Sequence, residues 1–213
     1  MRDFPGIVLT ATIWTYWFGV GVMIHRVRRK ARARRVVVPA DRIERYMWLL
    51  WVPVVAAWMA LPYLALTRAH PLLAVPEIAH ASAAYAALRW LAAACAVACL
   101  ALTIDCWARM GRNWRMGVSL DRETELVTTG LFGRVRHPIY ALSILLMACT
   151  VVIVATLPML AVGVVHVALM HLKARNEERH LERTHGEAYR AYVAATGRFV
   201  PRLGARRPGA AGR

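Results

Sequence analysis

Five apolar runs, separated by charged connections, dominate the hydropathy pattern of the chain. They cover residues 7–24, 47–66, 81–104, 139–156 and 159–172. A helix needs about 20 apolar residues to cross the hydrocarbon core of a bilayer, and the first four runs approach or exceed that length. The fifth has 14 residues, so we expect it to be tilted or to be extended by the polar segment that follows. The pattern predicts an all-α integral membrane protein with about five transmembrane helices.

Some residues within these runs have more than one possible placement. Arg89 lies in the first half of the third run, where it can reach outward to the headgroups or face the interior of the helix bundle. Pro158 separates the fourth and fifth runs and leaves room only for a tight hairpin. The second run contains aromatic residues of the kind found at membrane interfaces: Trp48, Trp51, Trp58 and Tyr63.

The connections differ in charge, and this difference predicts the orientation. Segments 26–45, 105–136 and 173–213 hold nine, six and ten Lys or Arg residues, whereas 67–80 holds one. With five crossings the three basic segments fall on one side of the membrane, which the positive-inside rule makes cytoplasmic. We therefore expect the N-terminus outside and the C-terminus inside. The Ala- and Arg-rich composition suggests a bacterial inner membrane.

The amino-acid composition indicates which binding partners to expect. The chain has 213 residues with 28 Lys or Arg against 12 Asp or Glu, a net charge of +16. In a soluble protein this balance would suggest nucleic acid. Here 59% of the residues are hydrophobic and the basic residues flank apolar runs, so membrane lipids are the expected partners and nucleic acid is not.

Cysteine and histidine spacing argues against a metal or haem site. The four cysteines contain no C-x-x-C pair, so the sequence predicts neither a disulfide framework nor a zinc site. His166 and His171 lie near the fifth run, but a five-residue spacing does not place them on one helix face. No metal is expected.

Polar residues concentrate in two segments, 105–138 and 173–201. In the first, Pro138 stands where a helix would begin, a position at which its missing N–H costs nothing. His137 and the backbone before it then lie at a helix N-terminus, where free N–H groups favour an anionic or electron-rich ligand. Taken alone, such a motif is ordinarily only the basic flank and start of a membrane helix.

The second polar segment has the pattern of an amphipathic helix. Its semi-apolar face recurs at four-residue spacing: Leu181, His185, Tyr189 and Val193. A helix of this kind is able to lie along the membrane surface. Glu177 and Glu178 precede it, and alone such a pair is ordinarily part of a solvated face.

Together the two segments resemble the isoprenylcysteine carboxyl methyltransferases and the related phospholipid methyltransferases. The matching residues lie in order over about 75 positions: Leu126-Val127-x-x-Gly130-x-Phe132, Arg136-His137-Pro138-x-Tyr140, Lys173-x-Arg175-x-Glu177-Glu178, Gly186-x-x-Tyr189-x-x-Tyr192 and Arg198-x-x-Pro201. Their joint occurrence is far more specific than any single piece. Phe132 replaces a tyrosine of the family, Ala141 begins a stretch where the family has a glycine step, and Lys173 stands where an arginine is frequent.

The resemblance implies a helical membrane methyltransferase that uses S-adenosylmethionine without a Rossmann domain, and no G-x-G-x-x-G follows a predicted strand here. With the apolar runs, it divides the chain into a three-span region (1–105) and a methyltransferase region (106–203). The Gly-, Ala-, Arg- and Pro-rich composition of residues 204–213 predicts a disordered tail. By similarity, the cofactor would be bound on the cytoplasmic side by Glu125, Leu126, Val127, Gly130, Phe132, Arg136, His137, Pro138, Ile139, Tyr140 and Glu177.

The implied acceptor is a lipidic small molecule, most directly the carboxylate of an isoprenoid or prenylcysteine-like lipid. A carboxylate needs no base, only a cation to hold it, the role expected of Lys173 or Arg175. The alternative is a phospholipid or other amine, for which Glu178 or a histidine would remove a proton. A non-catalytic or haem-binding membrane protein is the alternative of another class. Sterol reductases share a similar C-terminal end but are normally much longer.

Overall fold

Five long helices form most of the chain in the computed structural model, which describes residues 3–30, 42–67, 70–111 and 126–202. They are α1 (Phe4–Lys30), α2 (Arg42–Thr67), α3 (Ala83–Met110), α4 (Pro138–Val154) and α5 (Leu157–Ala195). Short helical turns cover Pro71–Leu73, Ile78–Ala81 and Gly130–Gly133. Within the described residues, β-structure is limited to one isolated bridge. The predicted tail lies outside these ranges, and the predicted boundary at 105–106 falls inside α3 and stays a prediction.

Within the described ranges, four segments are long and apolar enough to cross a membrane: Phe4–Arg26, Tyr46–Thr67, Ala83–Met110 and Leu157–Ala195. The fourth helix, α4, has 17 residues and at 1.5 Å per residue is roughly 25 Å long, slightly less than the ~30 Å hydrocarbon core. Helices suit a bilayer because they pair their backbone polar groups internally. The predicted all-α integral membrane fold is confirmed.

The helices pack into one bundle. The third helix lies along α4, α5 packs against both α4 and α2, and α1 contacts α2 and α3. Gly163 of α5 faces Val151 of α4, and a Cβ added at Gly163 would lie 3.1 Å from Val151 Cγ2. A small residue here therefore lets the two helices approach closely, as is common between membrane helices.

Trp58 lies in the core of the bundle, whereas the sequence suggested a position at the membrane interface. Its side chain is fully buried, and its ring lies 4.8 Å from that of His166 on α5. The indole Nε1–H donates to Thr150 Oγ1 at 3.0 Å. Because a buried indole needs a hydrogen-bond partner, Thr150 makes this core position possible.

Arg89 faces the bundle interior, one of the two placements left open. Its guanidinium lies 2.5 Å from the Asp3 carboxylate and its Nε donates to the Ile153 carbonyl at 3.2 Å. That carbonyl lies in the last turn of α4, where the helix itself supplies no donor. Arg89 thus ties the beginning of α1 and the end of α4 to α3.

The fifth apolar run is extended by the polar segment, as the sequence suggested. It forms the beginning of α5, a helix of 39 residues with non-helical backbone angles at Gly186. The predicted hairpin before it is confirmed, with Ala155 in the left-handed conformation and Thr156 capping α5. The amphipathic segment continues the membrane helix as far as Gly186, where a kink separates it from a last helical part, residues 187–195. Its placement along the membrane surface stays a prediction.

Candidate functional site

The segment before α4 is held in place by the C-terminal segment, residues 196–202. Backbone N–H groups of Arg136 and His137 donate to the carbonyls of Gly197 and Arg198 at 2.8 and 3.1 Å. Gly197 N–H donates in turn to Arg134 O at 3.2 Å. The expectation that the backbone before α4 offers free donors is therefore wrong for Arg136 and His137, because these two N–H groups are already paired.

Gly197 is required by the tight path of the C-terminal segment. A Cβ at this position would lie 1.7 Å from the Val200 carbonyl oxygen, so any side chain would force the backbone apart. The turn carries Arg198 and Phe199 toward His137, and the Phe199 ring centroid lies 6.1 Å from that of the imidazole.

Glu178 is bound by two guanidinium groups. Arg136 Nε lies 3.0 Å from Glu178 Oε1, and Arg198 Nε lies 3.0 and 3.1 Å from the two carboxylate oxygens. Arg136 also donates to the Val193 carbonyl at 3.3 Å and to that of Thr196. Such charge-assisted bonds are among the strongest in proteins, and here they join the start of α4, α5 and the C-terminal segment.

His137 lies between the two adjacent carboxylates. Its Nδ1 is 3.5 Å from Glu177 Oε2 and its Nε2 is 3.4 Å from Glu178 Oε1. The ring is stacked on Tyr140 at 5.3 Å between centroids. Burial disfavours the charged ring, but the two carboxylates outweigh burial and raise the pKa of His137 above its ordinary value. The site therefore favours an imidazolium.

Glu177 and Lys173 meet at the ring of Tyr140. The Tyr140 hydroxyl donates to Glu177 Oε1, and Lys173 Nζ lies 5.7 Å from the centroid of the Tyr140 ring. Arg175 is exposed and lies two residues from Lys173, about 200° around the helix. Of the two predicted cations, Lys173 therefore belongs to this cluster and Arg175 does not.

The other predicted cofactor-binding residues form the approach to α4. Phe132 is buried, and its carbonyl accepts the Tyr192 hydroxyl at 2.6 Å. Gly130 has a positive φ of 64°, and a Cβ there would lie 2.7 Å from Arg109 Nε. Within the same stretch, partly or fully buried positions are Leu126, Val127, Pro138 and Ile139. Glu125 lies outside the described residues.

Sequence reasoning assigned no role to four residues that the fold brings here: Tyr189, Tyr192, Arg198 and Phe199. The tyrosines and Arg198 are in the Gly-x-x-Tyr-x-x-Tyr and Arg-x-x-Pro motifs. The regular spacing of these motifs was the feature of the sequence that could have indicated a role in the site. Their contacts with residues about 20 to 60 positions away could be seen only in the fold.

Two buried polar atoms of the site have no hydrogen-bond partner within the described part of the chain: His137 Nε2 and the Tyr189 hydroxyl. At 3.4 Å, Glu178 is near the imidazole but outside good hydrogen-bond geometry. Buried polar groups are nearly always paired, so these atoms are suited to a polar ligand. The same described ranges hold no cluster of three or more His, Cys, Asp or Glu residues able to bind a metal.

Part of the chain that contains this cluster matches a protein family. A family model described as phospholipid methyltransferase matches residues 87–188. Residues 87–188 are therefore similar in sequence to the phospholipid methyltransferase family. The match confirms the resemblance found in the two polar segments and implies an integral membrane methyltransferase. No curated protein and no solved structure matched the chain.

Proposed function

We propose that the protein transfers the methyl group of S-adenosylmethionine to a membrane-soluble acceptor. The observation that carries the proposal is the cluster of His137, Tyr140, Lys173 and Glu177 between the start of α4 and the polar half of α5. All four residues lie within the matched segment 87–188.

The residues of the cluster fit such a cofactor. Glu177 offers a carboxylate for hydroxyl or ammonium groups. Tyr140 orients this carboxylate, because its hydroxyl donates to Glu177 Oε1 while its ring is stacked against His137. The unpaired Nε2 of His137 and the Tyr189 hydroxyl add polar groups of the kind that fix the orientation of a ligand.

The cofactor supplies a methyl group that is already activated by its sulfonium. The protein then needs to align the acceptor with that methyl group and to exclude water, effects worth several kcal/mol in well-oriented reactions. The cytoplasmic orientation expected from the charged connections would let the cofactor bind from the cytoplasm and the lipidic acceptor from the bilayer.

The first candidate acceptor is the carboxylate of an isoprenoid or prenylcysteine-like lipid. It requires a cation near the methyl donor and no proton removal. We assign this role to Lys173, which lies over the ring of Tyr140, because Arg175 is exposed. As a compact ammonium, Lys173 would hold the carboxylate without the bidentate fork of an arginine.

The second candidate is the amine of a phospholipid, which the description of the matching family favours. An amine must lose a proton on methylation. Two guanidinium groups bind Glu178, so in this case we assign the proton acceptor to Glu177, which would then not also bind the hydroxyl or ammonium groups of the cofactor.

Cofactor binding is the direct test. We expect purified protein in detergent to bind S-adenosylmethionine in calorimetry, and His137→Ala or Glu177→Ala to weaken binding by roughly tenfold to a hundredfold, as for loss of a hydrogen bond to a charged group. Glu182→Ala is the matched control, since Glu182 is exposed on the same helix. Equal affinity of wild type and both site variants would refute the site assignment. A Soret band without cofactor binding would support a haem protein instead.

The chemistry of the product identifies the acceptor. Membranes incubated with methyl-labelled S-adenosylmethionine are extracted and the labelled lipid is treated with alkali. A methyl ester releases labelled methanol, whereas an N-methyl group retains the label. Absence of labelled lipid in membranes that contain cofactor-binding protein would contradict methyl transfer to a lipid.

A further inference from the structure

We propose that Arg198 is a positioning residue of the cofactor site, holding Glu178 and His137 in the arrangement that receives S-adenosylmethionine. The inference rests on the proposed function. It concerns a residue beyond the matched segment 87–188, supplied by the C-terminal segment.

Arg198 and Arg136 approach the same carboxylate from two different parts of the chain. The Glu178 side chain is only 14% exposed, and a carboxylate so far removed from water is costly unless it is paired. Arg198 contacts both of its oxygens, while Arg136 contacts one. The guanidinium of Arg198 therefore sets the rotation of the Glu178 carboxylate, which in turn faces His137.

Arg198 also reaches His137 through the backbone. Its carbonyl accepts the His137 N–H at 3.1 Å, while its side chain binds Glu178, the neighbour of His137 Nε2. A single residue thus fixes both the main chain of His137 and the carboxylate beside its ring. Loss of Arg198 would therefore alter both the backbone position of His137 and the carboxylate beside its ring.

Two polar groups beside this arrangement are unpaired among the described residues. His137 Nε2 and the Tyr189 hydroxyl are buried without a partner in the part of the chain that the structure describes, and Tyr189 lies within electrostatic range of both Glu178 and Arg136. An arrangement fixed before the ligand arrives reduces the ordering cost of binding. Arg198 is therefore expected to affect cofactor affinity more than the methyl-transfer step.

Arg202 provides an internal comparison, because it lies on the same segment and makes contacts of a different kind. Its guanidinium donates to the carbonyls of Val193 and Ala194 at 3.5 and 3.0 Å, which anchors the segment to the end of α5. No contact joins Arg202 to Glu178 among the interactions of the described residues. A role in anchoring can therefore be separated from a role in positioning.

The test measures binding and turnover separately in Arg198→Ala, Arg198→Lys, Glu178→Gln and Arg202→Ala. Calorimetry with S-adenosylmethionine gives the Kd, and methyl incorporation into membrane lipid gives kcat at saturating cofactor. We expect Arg198→Ala to raise the Kd by roughly tenfold to a hundredfold while kcat stays within about threefold. Arg198→Lys restores part of the affinity, since it keeps the charge but loses the fork. Glu178→Gln should act in the same direction as Arg198→Ala, without additivity in the double variant.

Several outcomes would overturn the inference. They are a wild-type Kd in Arg198→Ala, a fall in kcat at unchanged Kd, or an equal loss of affinity in Arg202→Ala. If Arg198→Ala does not fold, Arg198→Lys and Glu178→Gln decide the question by the same two readouts. Failure of the wild type to bind the cofactor would instead refute the proposed function, so the two failures are distinguishable.

Discussion

At the scale of single residues, burial and charge shift the pKa of His137 in opposite directions. Its side chain is 6% exposed, and burial disfavours the imidazolium, whereas Glu177 and Glu178 favour it. Because the carboxylates prevail, the pKa of His137 is raised above 6.5. A group with a raised pKa in the folded state contributes stability while it is charged, and this contribution is lost as it deprotonates.

The direction of this pKa shift determines how the stability of the fold depends on pH. The contribution of His137 is fully present below its unfolded pKa of about 6.5 and is lost as the pH rises through the higher folded value. We expect the midpoint of thermal unfolding to fall over this interval in wild-type protein and to fall less in His137→Asn. Detergent-solubilised samples scanned at closely spaced pH values provide the measurement.

The control for this prediction is His25→Asn, because His25 is exposed at the far end of α1. This variant should keep the wild-type dependence on pH. If His137→Asn and wild type show the same slope, the carboxylates do not hold a charged imidazole at this position.

At the scale of elements, the bend in α5 determines what its last part can contact. Gly186 has φ 49° and ψ −118°, a conformation that side chains rarely adopt. Beyond it, Tyr192 binds the Phe132 carbonyl and Arg136 binds the Val193 carbonyl. The bend therefore brings the end of α5 onto the segment before α4.

Gly186→Ala tests this role. A Cβ would meet no atom within 4 Å, so the cost comes from the backbone conformation alone, about 1–3 kcal/mol. We expect a lower unfolding temperature and weaker cofactor binding. Gly21→Ala is the matched control, because Gly21 also has open space around it but lies inside α1 with ordinary helical angles. That variant should be neutral or slightly stabilised, by up to about 1 kcal/mol.

At the scale of the whole molecule, five helices with basic connections on one side predict an N-terminus outside and a C-terminus inside. Fusions of a reporter active only in the cytoplasm should be active at the C-terminus and inactive at the N-terminus. A cytoplasmic signal at both ends would mean an even number of crossings and would point to α4, the shortest helix at 17 residues, as the segment that does not cross.

Much of this architecture is contained in the order of residues along the chain. The bilayer requires long apolar helices, so the spans could be read directly from hydropathy, and the tight hairpin followed from Pro158. Lys173 and Glu177 are four residues apart on one helix, so their proximity was also foreseeable. Local periodicity determines such contacts because both partners belong to the same regular element.

Only the tertiary structure decided which partners the polar residues find across the bundle. Trp58 is in the core because Thr150 accepts its N–H, and Arg89 faces inward because Asp3 is there to meet it. Glu178 is held by Arg136 and Arg198, 42 and 20 positions away in the chain. Hydropathy and spacing describe one element at a time, whereas these pairings depend on how separate elements are placed against each other. The motifs could therefore be recognised in the sequence, but the way their residues support one another could not.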